Sequence, residues 1–171
     1  STVGDVTVNN CHPFTYKQYT FVHNGTIGSF EKIRKRLLNE LDDEYLNNIK
    51  ARTDSEHIFA LVMQYLHKDS SKDLAMAIKH AFSKVDEWQK DLGDDAYSKL
   101  NVVLTDGEQL VATRYVNKGK DPLTLHYATG EGVDLGLDDH IIKGSQGNGA
   151  VVVASEHLTD YLDEWVDVPL N

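Results

Sequence analysis

An α+β layered domain is the fold class this sequence predicts, and three observations predict it. Short β-type runs come first, at Thr7-Val8 and at Tyr19 to Val22. Apolar residues at three- and four-residue steps then recur from about residue 29 to residue 92. From Leu100 onward the chain returns to short apolar runs broken by turn residues. Strands, then helices, then strands read as layered α+β rather than as alternating βαβ units.

The first two strands bracket a loop containing Pro13. Ser29 is the expected N-cap of a helix reaching about Leu41, with Phe30, Ile33, Leu37, Leu38 and Leu41 as its apolar stripe. Asp42 to Ile49 reads as a short second helix. Thr53 to about His67 reads as a third. Thr53 and Glu56 have capping-box spacing there, and Ile58, Leu61, Val62, Tyr65 and Leu66 make the buried stripe. A long amphipathic helix spans Ser71 to about Leu92 through Leu74, Ile78, Ala81, Phe82, Val85 and Trp88. Leu100 to Leu104 and Leu110 to Val116 flank an Asp106-Gly107 turn and read as a hairpin. Leu123 to Ala128 and Ala150 to Ala154 are further expected strands, and the glycine-rich, acidic segment 130–149 is an expected loop. There are no internal repeats, and residues 1–171 read as one domain.

Composition narrows the function classes. The formal charge of −10 argues against binding a phosphate backbone, which needs clustered Lys and Arg. The short basic cluster Lys32, Arg34, Lys35 and Arg36 reads as a solvated helix face. A single cysteine, Cys11, excludes an internal disulfide and suits a reducing, cytoplasmic compartment. No apolar run approaches the ~20 residues that span a bilayer, so no membrane partner is expected. His57, His67, His80, His126, His140 and His157 show no metal-ligand spacing, and no metal site is read. Gly144 to Gly149 lacks the Lys-Ser/Thr of a phosphate loop.

Three short motifs carry the chemistry. Asn10-Cys11-His12-Pro13-Phe14 comes first, His23-Asn24-Gly25 second, and Thr53-Asp54-Ser55-Glu56 opens the third helix. The ordinary reading of Asn24-Gly25 is a hairpin turn. The chemical reading is an oxyanion hole, since an Asn side-chain N–H and a glycine backbone N–H are neutral donors that can be aimed in advance at a tetrahedral oxyanion. The ordinary reading of Asp54 is an acid in a helix's first turn, favoured by the macrodipole. Its chemical reading is a fixed carboxylate that receives a substrate ammonium.

Taken in order, these motifs resemble the class II (N-terminal nucleophile) glutamine amidotransferases. Phe30, Ile33, Arg34 and Leu37-Leu38 fit that family's first helix. Within the family, Asn10 to Tyr16, Asp43 to Asn47 and Val153 to Glu156 are similar to the amidotransferase-like subunits of fungal glutathione-degrading complexes.

The resemblance implies the four-layer αββα sandwich of N-terminal nucleophile hydrolases. It implies Asn24 and Gly25 as the catalytic oxyanion hole, with Asp54 on the substrate's α-ammonium and Thr2 on its α-carboxylate. No cofactor is implied. The implied substrate is a small γ-glutamyl compound, glutathione or glutamine, and a metallopeptidase-like protein is the implied partner. Related possibilities are the γ-glutamyl hydrolase of ergothioneine synthesis, an ammonia-supplying glutaminase and a catalytically inactive binding or regulatory subunit. In the family the nucleophile is an N-terminal cysteine, followed further on by a His-x-Arg-Ala segment. Ser1-Thr2-Val3-Gly4 resembles the inside of that segment, so the nucleophile and the Arg are expected upstream of Ser1, and the C-terminal end is expected to be interrupted. Ser1 itself is therefore not read as the nucleophile, and Cys11 falls at a non-catalytic position.

Overall fold

Alternation along the second strand sorts the molecule into layers. The computed structural model describes residues 10–93, 95–130, 132–134, 141–143, 149–159 and 165–171. Thr2 and the expected strand at Thr7-Val8 lie outside them. In β2 (Tyr19–Thr26), Tyr19, Phe21 and His23 are buried while Val22 and Asn24 are exposed. The buried set meets the helices, and Phe21 stacks on Phe59 with centroids 4.9 Å apart. β2 lies between β1 (Phe14–Tyr16) and β3 (Lys99–Thr105), and β3 pairs in turn with β4 (Leu110–Val116), all antiparallel.

Four helices follow β2: α1 (Phe30–Glu40), α2 (Asp43–Leu46), α3 (Asp54–Lys68) and α4 (Leu74–Leu92). Ile33 and Leu37 of α1, Ile58 and Leu61 of α3, and Ile78 and Val85 of α4 form one core with Leu100, Val102 and Leu104 of β3. Each such side chain contributes roughly 1.5–3 kcal/mol through its removal from water.

A second sheet contains β5 (His126–Gly130) flanked by β8 (Ala150–Ala154) and β9 (Val166–Asp167). Ala128, Val152 and Trp165 pack there as a smaller cluster. The architecture is α+β, with helices plus antiparallel sheets. No helix among the described residues is long and apolar enough to cross a membrane.

Several boundaries differ from the sequence expectation, each for a physical reason. α1 starts as expected, but Ser29 sits in the left-handed region (φ 53°) and its side chain makes no cap hydrogen bond. α2 stops at Leu46, and Asn47 to Ile49 close with tighter bonds such as Ile49 N–H to Leu46 O at 3.2 Å. α4 begins at Leu74 rather than Ser71, because Lys72 is left-handed (φ 50°) and Asp73 caps Met76 N–H at 3.0 Å.

β5 begins at His126 rather than Leu123. The carbonyls of Leu123, Thr124 and Leu125 instead accept from Arg114, Asn101 and Val168 N–H. The segment expected as loop holds a short hairpin, β6 (Gly132–Asp134) with β7 (Ile141–Lys143). Within it, residues 131, 135–140 and 144–148 lie outside the described residues. β1 and β9 were not legible as strands at all.

Candidate active site

Asn24 and Gly25 are not a turn. Both lie within β2, where Asn24 faces Asn101 and Gly25 faces Leu100 across the ladder to β3. Gly25 has φ 152°, a conformation side chains rarely adopt, and a Cβ there would stand 1.9 Å from Lys99 O. The glycine therefore serves a close approach of two strands, and the strand continues only to Thr26. The hairpin reading of Asn-Gly is displaced by tertiary pairing. Asn24 projects from the opposite face of the strand to the helices, and its Nδ2 donates to Ser155 Oγ at 3.3 Å, directly after β8.

Asp54 stands at the first turn of α3, and the fold brings it to the same strand end. The residue is buried (6% exposed). Its Oδ2 accepts from Ile27 N–H at 2.9 Å, two residues beyond Gly25, and its Oδ1 from Ser55 N–H at 2.9 Å. A carboxylate offers about four acceptor positions, so capacity remains for an incoming cation. The Ile27-Gly28 link is clamped further, since Gly28 O accepts from Gln89 Nε2 at 2.6 Å.

His23 lies beneath the pair. Its Nδ1 is 2.8 Å from Ser55 Oγ, and its Nε2 would stand 3.0 Å from a Cβ at Gly25. Burial lowers the pKa of His23, against the opposing pull of the Asp54 charge. A chain of contacts thus runs from Asp54 through Ser55 to His23, the residue preceding Asn24.

The start of α3 is only partly the expected capping box. Thr53 Oγ1 accepts from Glu56 N–H at 3.3 Å. The Glu56 carboxylate does not return to Thr53. It accepts instead from the backbone N–H groups of Lys50 and Ala51 at 2.5 and 2.7 Å, fixing the loop before the helix.

Arg34 departs from the solvated basic face expected for its cluster. Lys32, Lys35 and Arg36 are exposed, but Arg34 is half-buried and its Nε donates to His57 Nε2 at 3.1 Å. His57 Nδ1 then carries the hydrogen donated to Thr53 O at 2.7 Å, so the ring is neutral.

This neutral ring gives a pH prediction. Burial lowers the pKa of His57 from 6.5 to about 4; the Thr53 carbonyl opposes the shift and Arg34 adds to it. The unfolded chain therefore takes up its proton first as pH falls. The stability tied to neutral His57 is complete above about pH 6.5 and is lost progressively toward pH 4. For this fully buried ring the loss is on the order of 3 kcal/mol. Urea unfolding at pH 7 and pH 4.5 should show it, and His57→Gln should shrink the difference. An unchanged difference in that variant would assign the pH dependence to other groups.

Thr2 lies outside the described residues. Ser55 and Asn101 escaped sequence reasoning: Ser55 reads as a helix-start residue, and Asn101 becomes visible only once the β2–β3 register is known. Among the described residues no three His, Cys, Asp or Glu side chains are grouped to hold a metal.

Fold and site together define an α+β domain in which an amide-plus-glycine strand end is locked to a buried carboxylate. The family model for class-II glutamine amidotransferases matches residues 1–170, and the chain belongs to that family. It is 36% identical over 189 aligned positions to the probable glutamine amidotransferase DUG3 of Saccharomyces cerevisiae, covering 100% of this chain and 53% of that protein. It is 30% identical over 143 positions to the glutamine–fructose-6-phosphate aminotransferase (isomerizing) of Lactiplantibacillus plantarum, covering 82% of this chain and 20% of that enzyme. The chain thus spans about half, or less, of these relatives. Among solved structures, a glutamine aminotransferase class-II domain protein from Silicibacter pomeroyi superposes with a TM-score of 0.72 at 28% identity, over 96% of this chain and 65% of that one.

Proposed function

We propose that the full-length protein hydrolyses a γ-glutamyl amide, with glutathione as the leading substrate and glutamine as the second. One observation carries this reading: the Asp54 carboxylate is buried and bonded to Ile27 N–H, two residues beyond the Asn24-Gly25 pair. A γ-glutamyl head group needs an anion for its α-ammonium close to the donors for its γ-carbonyl oxygen. Family membership and the likeness to DUG3 support the same chemistry.

In this mechanism an N-terminal cysteine upstream of Ser1 attacks the γ-carbonyl carbon, and its own α-amine takes the thiol proton. The carbonyl oxygen becomes an oxyanion held by Asn24 Nδ2–H and Gly25 N–H. Collapse breaks the C–N bond, and the leaving amine departs with the proton held on the cysteine's own α-amine. Water, deprotonated by that cysteine α-amine, attacks the thioester; a second oxyanion forms in the same hole, and its collapse releases glutamate and the thiolate, which takes the proton back. Asp54 holds the substrate ammonium, and an upstream Arg with Thr2 holds its carboxylate. Around this site the four-layer αββα sandwich, a metallopeptidase-like partner and a cytosolic setting complete the proposal.

The first test is release of glutamate by the full-length protein from glutathione and from glutamine. Release from either supports hydrolysis; binding of both without release would favour a binding or regulatory subunit. Asp54→Asn then probes the head-group contact. Removing the charge should weaken γ-glutamyl binding about tenfold or more, as a charge-assisted hydrogen bond nets roughly 1.5–3 kcal/mol. Because Asp54 also accepts Ile27 N–H, the variant should lose about 1–3 kcal/mol of stability as well. Unchanged KM in a folded variant would remove Asp54 from the site.

A further inference from the structure

On the face of the first sheet away from the helices, one row crosses three strands: Asn24 on β2, Asn101 on β3 and Arg114 on β4, each opposite the next in register. All three reach the same neighbouring segments. Asn24 Nδ2 donates to Ser155 Oγ at 3.3 Å, Asn101 Nδ2 to Thr124 O at 2.8 Å, and Arg114 Nε to Leu123 O at 2.9 Å.

Those acceptors cluster at one end of the second sheet. His126 pairs with Ala154 there, so Thr124 precedes β5 where Ser155 follows β8. Asp167 lies opposite His126 on β9, and its carboxylate bridges the two sheets, with Oδ1 2.7 Å from His126 Nδ1 and Oδ2 3.8 Å from Arg114 Nη1. A polar seam therefore joins the second sheet to the strand that carries Asn24.

Burial along the seam is uneven. Asn24 is exposed, as a side chain that meets substrate must be, while Asn101 is 3% exposed. The Asn101 amide is held by Thr124 O, yet its Oδ1 is buried without a hydrogen-bond partner among the described residues. A buried acceptor left unmatched costs stability, and such groups call for an explanation other than packing.

Resting on the oxyanion role of Asn24 set out above, we infer that Ser155 and Asn101 are positioning residues for the Asn24 amide. Ser155 takes one Nδ2 hydrogen and so turns the other toward the reacting carbonyl. Asn101 docks the Thr124 segment, and with it the end of the second sheet that carries Ser155. Neither residue touches the substrate. Their effect is on the aim of a donor needed in the transition state, so it belongs in kcat rather than KM.

The test is a double-mutant cycle on the full-length protein, read as glutamate release from a γ-glutamyl amide. Ser155→Ala, a small change at a half-buried turn, should lower kcat about three- to tenfold with KM within about twofold, the scale of one hydrogen bond. On an Asn24→Ala background the same change should cost nothing further, because the group it aims is gone. Asn101→Ala, wherever it folds, should show the same non-additivity. An equal loss on both backgrounds, or no loss of kcat in Ser155→Ala, would overturn the inference while leaving Asn24 in its role. No loss of kcat in Asn24→Ala itself would overturn the oxyanion reading, and this inference with it.

Discussion

Asn24→Ala in the full-length protein should lower kcat by about 10²–10³, with a smaller change in KM. The oxyanion exists mainly in the transition state, so a donor aimed at it acts on kcat. The structure makes the expectation sharper, because Asn24 is exposed and its amide donates to the Ser155 hydroxyl. Its removal should cost less than about 1 kcal/mol of stability, the worth of one partly solvated hydrogen bond. Steady-state kinetics with thermal unfolding on the same sample separates the two effects. An unchanged kcat in a folded variant would return Asn24 to an ordinary strand residue.

Gly25→Ala should damage the fold as well as the site. The added Cβ would stand 1.9 Å from Lys99 O and 2.8 Å from Lys99 C, both backbone atoms of the paired strand. Neither can rotate away, and φ 152° is itself unfavourable for alanine. A loss of on the order of 4 kcal/mol or more is expected, in the range reached only by a few mechanisms such as backbone clash. Denaturant unfolding would measure it. Near-native stability would mean that β2 and β3 separate readily at this point and that the close approach at Gly25 is not held by the fold. Together the two variants should give neighbouring residues distinct signatures, one lost chiefly in rate and the other in stability as well.

The helical half of this fold was largely legible in the sequence because its apolar spacing is regular. Ile33 and Leu37, Ile58 and Leu61, and Ile78 and Val85 all reach the core as their periodicity predicts. The short strands were less legible. β1 covers Phe14–Tyr16 and β9 only Val166–Asp167, too few residues for alternation to register. β5 starts later than its apolar run suggests, because side chains on the first sheet, Arg114 of β4 and Asn101 of β3, take the carbonyls that a longer ladder would use.

The same distinction holds at the site. Asn24, Gly25 and Asp54 stand in short motifs, and local residue types suffice to single them out. Ser55, Asn101 and Arg114 act through partners 23 to 32 positions away or across a strand register, which no local pattern encodes. Arg34 shows the converse: its charged neighbours point to solvent, and only the packing of α1 on α3 turns it to His57.

The most direct measurement of the central claim compares a free γ-glutamyl amide with its N-acetylated counterpart on the full-length wild-type protein. Acetylation removes the α-ammonium and leaves the scissile bond untouched. A site built around the buried Asp54 carboxylate should discriminate against the acetylated compound by about tenfold or more in kcat/KM, and Asp54→Asn should narrow that gap. Equal handling of the two compounds by the wild type would contradict the account, because Asp54 would then only start a helix and secure Ile27.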